Sequence, residues 1–280
     1  MKTVKLDFSG KIVLITGGSS GIGEELAKRF VELNAEKVII TARRLNELER
    51  VKSECKDPSK VIVMEMDLSK PEQCLQQIKD MKLVDRVDIL VNNGGLSMRD
   101  EFKNIEFKTC TNLMNVNCMS SIALINGLLP KMISQKSGQI VNILSISAVF
   151  GNPVRTLYCA SKFAVDGFSK SLRPELKQYG ISVTCIYPGY VKTNISKNAA
   201  TGSGEAFGKV DDNNAKALPV DKACDVMLRA IKLRRDEIYV ASLFFYLTVK
   251  LSQLSSTLNR WICAIQFKKQ MKILNKVKNN

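Results

Sequence analysis

The sequence predicts a single α/β domain built on a doubly wound parallel sheet, and three observations lead there. Short apolar, β-branched runs alternate with stretches of helical periodicity from residue 11 to about residue 241. The runs are apolar along their whole length, as strands covered on both faces are, whereas a strand with one wet face would alternate. A glycine-rich turn follows the first run directly and opens a helical pattern. Size and composition agree: 280 residues, 45% apolar and 25% charged, suit a soluble globular chain with a substantial core.

Lys11 to Thr16 (KIVLIT) reads as the first buried strand, followed by Gly17, Gly18, Ser19, Ser20, Gly21, Ile22 and Gly23 and a helix through Leu33. Strand, glycine turn and helix in that order set free backbone N–H groups where a pyrophosphate can meet them. The spacing is neither GxGxxG nor that of a phosphate-transfer loop ending in Lys-Ser or Lys-Thr. Lys37 to Thr41 is the second strand. At its end stand Ala42, Arg43 and Arg44, where a site for the non-phosphorylated dinucleotide would carry an acid. An acid repels a 2′-phosphate and an arginine binds one bidentately, so NADP(H) is expected over NAD(H). The simpler alternative is that these arginines only solvate the helix from Leu45 to Lys56.

Val61 to Asp67 is a third strand, with Asp67 and Leu68 suited to an adenine edge by hydrogen bond and apolar contact. Pro71 to Leu83 carries a helical apolar stripe. Ile89 to Val91 leads into Asn92, Asn93, Gly94 and Gly95, which let the backbone pass close to a ligand. Four strands alternating with helices make a Rossmann-like sheet with a crevice at its carboxyl edge. Phe107 to Ser134 is a long helical tract with room for a bend, carrying Asn117.

Gln139 to Ile143 is the next strand, and just past it comes the stretch with the most chemistry. Ser145 would point into the crevice. Tyr158 follows thirteen residues later, and Lys162 four residues after that, one helical turn on and on the same face. An ammonium beside a phenol favours the phenolate, so Tyr158 is expected to exchange its proton closer to neutral pH than its usual value of about 10. The chain contains no His, so acid–base chemistry must use other residues. Taken singly, each member of this trio is more commonly a packing tyrosine, a solvated lysine or a turn-forming serine.

The helix from Tyr158 to Tyr179 and the strand from Ser182 to Tyr187 follow, the latter closed by Pro188 and Gly189. Residues 192–218 are polar, glycine-bearing and poorly periodic, which suits either a lid over substrate or a mobile excursion. A helix from Pro219 to Arg234 and a last strand from Glu237 to Ala241 complete a catalytic domain of residues 1–241. The tail, residues 242–280, is apolar and basic, and seven Lys or Arg follow Glu237 with no Asp or Glu. It reads as one or two amphipathic helices in an anionic membrane interface, or else as a dimer interface or a buried terminal helix. A dozen apolar residues from Ile238 are too few to span a bilayer. The formal charge of +15 would also suit nucleic acid, but the basic residues lack interleaved stacking aromatics, so no nucleic-acid partner is expected. The eight cysteines form no CxxC pair and read as reduced thiols, with no metal site, and residues 1–8 read as neither signal nor anchor.

These residues together resemble the short-chain dehydrogenase/reductase family over roughly residues 9–240. TGGSSGIG at Thr16 to Gly23 is similar to its cofactor motif, and NNGG at Asn92 to Gly95 to its Asn-Asn-Ala-Gly motif, with Gly94 in the alanine position, a departure that loosens one turn. Asn117, Ser145, Tyr158 and Lys162 fall at its catalytic tetrad positions, and Pro188, Gly189, Val191 and Thr193 at its nicotinamide-contacting segment. Residues 194–219 and the tail resemble the group of dehydrogenase/reductase family member 7, especially its B type, whose members usually begin with a hydrophobic anchor.

The resemblance implies that the pro-S hydride of NADPH goes to a carbonyl carbon while Tyr158 protonates the oxygen and Ser145 holds it. Lys162 would lower the Tyr158 pKa and bind the nicotinamide ribose, and Asn117 would hold a water leading to solvent. The substrate expected is a lipid-like, steroid or retinoid ketone, including acyl- or alkyl-dihydroxyacetone phosphate, with apolar Val149, Phe150 and Phe207 facing it. Oxidation of an alcohol and a catalytically idle nucleotide sensor at a membrane are the alternatives. A homodimer paired through the helices near Phe107 and Tyr158 is implied. The expected location is a membrane facing the cytosol, at the endoplasmic reticulum or peroxisome, or otherwise the cytoplasm.

Overall fold

The computed structural model describes residues 5–208 and 217–278. Seven strands form one all-parallel sheet in the order β3-β2-β1-β4-β5-β6-β7. They are β1 (Ile12–Thr16), β2 (Lys37–Ala42), β3 (Val61–Glu65), β4 (Ile89–Asn92), β5 (Gly138–Ile143), β6 (Ile181–Pro188) and β7 (Glu237–Val240). The order reverses between β1 and β4, so their carboxyl ends diverge into a crevice, the place where open α/β sheets hold ligands. β1 is buried at every position, which is why its sequence does not alternate.

Helices cover both faces. α1 (Gly21–Glu32), α2 (Leu45–Glu54) and α7 (Val220–Lys232) send Leu26, Phe30, Leu48, Met227 and Leu228 against Val13, Ile15, Val38 and Ile40. On the other face α3 (Pro71–Lys79), α5 (Ser120–Ser134) and α6 (Thr156–Lys177) pack Cys74, Ile78, Leu124, Leu128 and Leu172 against Leu14, Ile39, Leu90 and Ile140. A methyl at Gly127 would stand 2.8 Å from Ile78 Cγ2, so the small residue sets the approach of α5 to α3.

The tract from Phe107 to Ser134 is one helical run interrupted by a π-turn. α4 (Phe107–Met114) passes through a π-turn at Asn115–Met119 into α5. By length and hydropathy alone this tract could cross a membrane, but 61% of its apolar window is buried inside the protein. It is the central helix of one face.

Residues 192–208 differ from the mobile excursion that their composition suggests. Ala200 pairs with Met98, Arg99 N donates to Ala200 O at 2.8 Å, and Ala200 N to Ser97 O at 2.9 Å. Gly202 N donates to Asp100 Oδ2 at 3.1 Å. Polar composition disguised this because the ordering comes from backbone bonds to a distant segment. The remainder of the expected loop, residues 209–216, lies outside the described residues.

The tail forms two helices, α8 (Leu243–Leu254) and α9 (Ser256–Lys278), and both dock on the domain. Tyr187 of β6 stacks on Tyr239 of β7 with centroids 4.6 Å apart, and Lys250 Nζ of α8 sits 4.8 Å from the centre of the Tyr239 ring. Val249 is buried with Leu144, Ile146 and Phe150, and Ile262 and Cys263 pack against the same cluster. Farther on, Leu274 is buried with Val154, Ala199 and Phe207. The other side of the tail leaves Leu247, Leu251, Leu254, Trp261, Ile265 and Phe267 exposed. The sequence offered an interfacial helix or a buried one; the tail buries one face against the domain and leaves apolar side chains of the other exposed.

Candidate active site

The crevice begins at the glycine-rich turn. Thr16 ends β1, and its Oγ1 accepts from Asn93 N at 3.0 Å and Gly94 N at 2.9 Å, while Asn93 Nδ2 donates to Thr16 O at 2.9 Å. Gly17 has φ of 66°, and a methyl there would come within 2.7 Å of Gly94 Cα. One at Gly23 would strike Gly17 O and lie 2.5 Å from Asn93 Nδ2. The space that an alanine methyl would take at Gly94 is filled by Leu68 Cδ1. The turn is therefore not loosened by this departure from the family pattern, because Leu68 and the two bonds to Thr16 close it.

Ser19 is buried, Ile22 packs on the core, and Ser20 is exposed with no capping bond of its own. The first-turn donors of α1 open beside it, an arrangement suited to a pyrophosphate. One supporting residue was missed from the sequence. Arg50 of α2 donates to Ser19 O at 3.3 Å and to Glu24 Oε2 at 3.0 Å, within a cluster that includes Glu47, Glu54 and Lys28. The cue was there, since Arg50 has acids three before and four after it on one helix face.

At the end of β2, Arg43 and Arg44 are both exposed. Asp67 lies close enough to feel the Arg43 charge. Burial pushes the Asp67 carboxyl up, but hydrogen bonds from the Ser69 backbone and hydroxyl, with help from Arg43, hold it below its ordinary value.

The reacting end lies past β5. Ser145 is extended, half-buried, and accepts from Ser147 N at 3.1 Å while its hydroxyl lies against the Tyr158 phenol. Tyr158 and Lys162 are both buried on α6, one turn apart. Lys162 Nζ donates to Ile143 O at 3.0 Å and stands 6.0 Å from the Tyr158 ring centre. Here the structure corrects the expectation. Burial pushes the Tyr158 phenol up, opposed by the Ser145 hydrogen bond and the Arg155 charge, and Lys162 does not pull it down. Desolvation pushes Lys162 itself down, to about 8. Its ammonium donates to a backbone carbonyl, and loss of water dominates at both side chains.

Asn117 sits in the π-turn, a feature common at functional sites. Its side chain is fully engaged: Oδ1 accepts from Leu96 N at 2.7 Å, and Nδ2 donates to Leu96 O at 2.8 Å and Ser161 Oγ at 2.9 Å. Ser161 in turn donates to Tyr158 O at 2.8 Å. The amide is thus a brace between the strand end and α6. Nothing in the sequence marked Ser161. Gly95 faces this brace, where a methyl would lie 3.2 Å from Asn117 Oδ1 and 3.6 Å from Lys162 Nζ.

Pro188 and Gly189 end β6, with Gly189 N donating to Val240 O at 3.0 Å, and Val191 is buried beside a bridge to Leu218. Thr193 stands over the glycine-rich turn, its Cγ2 lying 3.2 Å from where a Gly21 methyl would be. On the substrate side, Val149 is half-buried and Phe150 and Phe207 are buried, Phe207 under the Arg99 guanidinium at 5.1 Å. Arg155 Nη1 donates to Ser97 Oγ at 2.8 Å.

Known proteins share this arrangement of elements. The family model for short chain dehydrogenase matches residues 11–204. A dehydrogenase/reductase SDR family protein 7-like from Drosophila melanogaster is 38% identical over 97% of this chain and 84% of its own length. Dehydrogenase/reductase SDR family member 7B from Xenopus laevis is 34% identical over 96% and 85%. A short-chain dehydrogenase from Sphingobium yanoikuyae, solved in complex with NADPH, superposes with a TM-score of 0.71 at 25% identity, covering 82% of this chain and 87% of that one.

The Lys162 environment makes a signed prediction. Its folded value of about 8 lies below the ordinary 10.5, so the unfolded chain binds more protons between those values and stability rises with pH across that window. Below about pH 8 the full cost is present, on the order of 3 kcal/mol. Ligand-free Lys162→Met should therefore unfold at a higher temperature than the parent at pH 7, the gap narrowing from pH 8 to 10.5. A gap that stays constant over that range, in scanning calorimetry, would contradict the assigned cost.

Proposed function

The chain belongs to the short-chain dehydrogenase family, and from that premise we propose that it is an NADPH-dependent reductase of lipid-like, steroid or retinoid ketones. The observation that carries this reading is the convergence of Ser145, Tyr158 and Lys162 on the sheet edge that also holds the open glycine-rich turn. The close backbone approach of Gly17, Gly23 and Gly94 and the exposed Ser20 fit a dinucleotide, whose adenine end Asp67 and Leu68 would meet and whose nicotinamide end would lie toward Asn93, Gly95, Gly189 and Thr193. When bound, the cofactor supplies the hydride.

The protein's own part is to hold the carbonyl and manage one proton. Ser145 donates a hydrogen bond to the carbonyl oxygen. Tyr158, its phenol kept protonated by burial, gives up its proton as negative charge gathers on that oxygen. Lys162, fixed at Ile143 O, stabilises the phenolate left behind, and Asn117 and Ser161 keep α6 in register with the strand end. The selection of NADPH rests on Arg43 and Arg44, exposed at the end of β2 with no acid beside them in sequence.

Two associations extend the reading. Exposed Phe107, Met119 and Phe163 on the interrupted helical tract and α6 support pairing with a second copy. The outward apolar face of the tail, with Lys268, Lys269 and Lys272 beside it, supports docking on an anionic membrane facing the cytosol, of endoplasmic reticulum or peroxisome.

Three measurements test this. NADPH oxidation should be followed against acyl-dihydroxyacetone phosphate, steroid ketones and retinal, and Tyr158→Phe should lower kcat at least a thousandfold with NADPH affinity nearly unchanged. Turnover within a few fold of the parent would remove Tyr158 as the proton donor. Arg43→Asp should shift the NADPH-to-NADH ratio of kcat/KM at least tenfold toward NADH, and an unmoved ratio would mean that the phosphate is read elsewhere. Trp261→Glu combined with Leu254→Glu should abolish co-flotation with phosphatidylserine vesicles; unchanged flotation would refute docking through this face.

A further inference from the structure

Helix α9 carries two glutamines, Gln266 and Gln270, four residues apart and so on one face of the helix. That face meets the protein. Gln270 is 7% exposed, Gln266 is half-buried, and the Oε1 atoms of both are buried and accept no hydrogen bond among the described residues. Their neighbours on the helix locate them. Cys263, three residues before Gln266, donates to Gly151 O at 3.3 Å. Leu274, four residues after Gln270, is buried against Val154, Ala199 and Phe207, with Met271 beside it. The pair therefore lies between the points where α9 touches Gly151 and Val154, on the stretch that runs into Tyr158.

The same helix face carries Ile262, Cys263, Met271 and Leu274, with Asn259 accepting from Cys263 at its amino-terminal end. A leucine or methionine would fill either glutamine position without stranding an acceptor, and a buried acceptor left unmet costs stability. Two such acceptors in register beside the reacting stretch call for a donor that arrives from outside the fold. Residues that break a local packing rule in this way are expected where function requires it.

We propose that Gln266 and Gln270 read the substrate at a point remote from its reacting carbonyl, and that they take an amphipathic ketone with an apolar body and a distal hydroxyl. A hydroxyl both donates and accepts, so it satisfies a carboxamide in either orientation. The apolar body then lies beside Val154, Phe207 and Leu274, which pack on one another as a buried cluster. The tail is then a specificity element as well as a docking helix. This inference rests on the ketone-reductase reading, and its test separates the two.

The probes are alkan-2-ones of six to fourteen carbons and their counterparts with a terminal hydroxyl, assayed with NADPH and full-length protein. The parent should prefer the hydroxylated ketone at the best-fitting length, and Gln270→Met should reduce the ratio of kcat/KM between hydroxylated and plain ketone at least tenfold, mainly through KM. Gln266→Met should reduce the same ratio in the same direction, which covers the case in which Gln270→Met does not fold. Gln270→Met should also raise the Tm of the ligand-free protein. No parental preference at any length, or a ratio unmoved by both substitutions, overturns the inference. If the parent turns over none of these ketones, the reductase reading fails for them, and calorimetric Kd values of the same compounds on the NADP-loaded protein decide. A hydroxyl-dependent affinity lost in the variants upholds the glutamine site, and equal affinity overturns it.

Discussion

The bond from the backbone of Asn93 and Gly94 to Thr16 Oγ1, returned by Asn93 Nδ2 to Thr16 O, is the interaction on which the rest of the site depends. It ties together the ends of β1 and β4, the two neighbouring strands from which the sheet winds in opposite directions. Strands diverge there, and their last peptide groups would otherwise face an open crevice without partners. Closing the gap with one hydroxyl and one amide leaves the glycines free to bring bare backbone to the edge of the crevice. Arg50, reaching Ser19 from α2, steadies the same turn from outside, a half-buried contact worth more as positioning than as stability.

The candidate reacting groups are stabilised far less well than the frame that presents them. Tyr158 and Lys162 are both stripped of water, and burial moves each toward its neutral form, the phenol up and the ammonium down. A protein selected only for stability would place apolar side chains at both positions. The cost is tolerated because the surroundings are over-determined. Asn117 joins Leu96 to Ser161, Ser161 joins Asn117 to the Tyr158 carbonyl, and Lys162 joins α6 to β5. Strain and desolvation stored at a site require support of this kind.

The tail changes what the catalytic domain presents to its surroundings. α8 is locked to the sheet edge through the Tyr187, Tyr239 and Lys250 stack, and α9 continues over Gly151 and Val154 toward Phe207. Its inner face thereby becomes part of the wall beside the reacting stretch. Its outer face keeps Leu254, Trp261 and Ile265 in solvent, a set of large apolar side chains that a soluble monomer would ordinarily cover. One element thus lies between an exposed apolar surface and the stretch that runs into Tyr158.

What the sequence determined by itself is local in origin. Apolar β-branched runs mark the strands, glycines mark a turn that side chains at Gly17 and Gly23 could not enter, and the interval of four between Tyr158 and Lys162 places both on one face of a helix. Each depends on residues close in sequence, so pattern alone reveals it. The helical tract from Phe107 was legible, though not the π-turn that carries Asn117. The tertiary structure alone decided what depends on distant partners. Ile143 takes the Lys162 ammonium, burial outweighs the Ser145 hydrogen bond and the Arg155 charge at Tyr158, and Leu68 fills the space at Gly94. Met98 and Ala200 convert a polar stretch into a tied segment, and the tail acquires an inner face. Desolvation and packing are properties of the whole fold, and no window of neighbouring residues contains them.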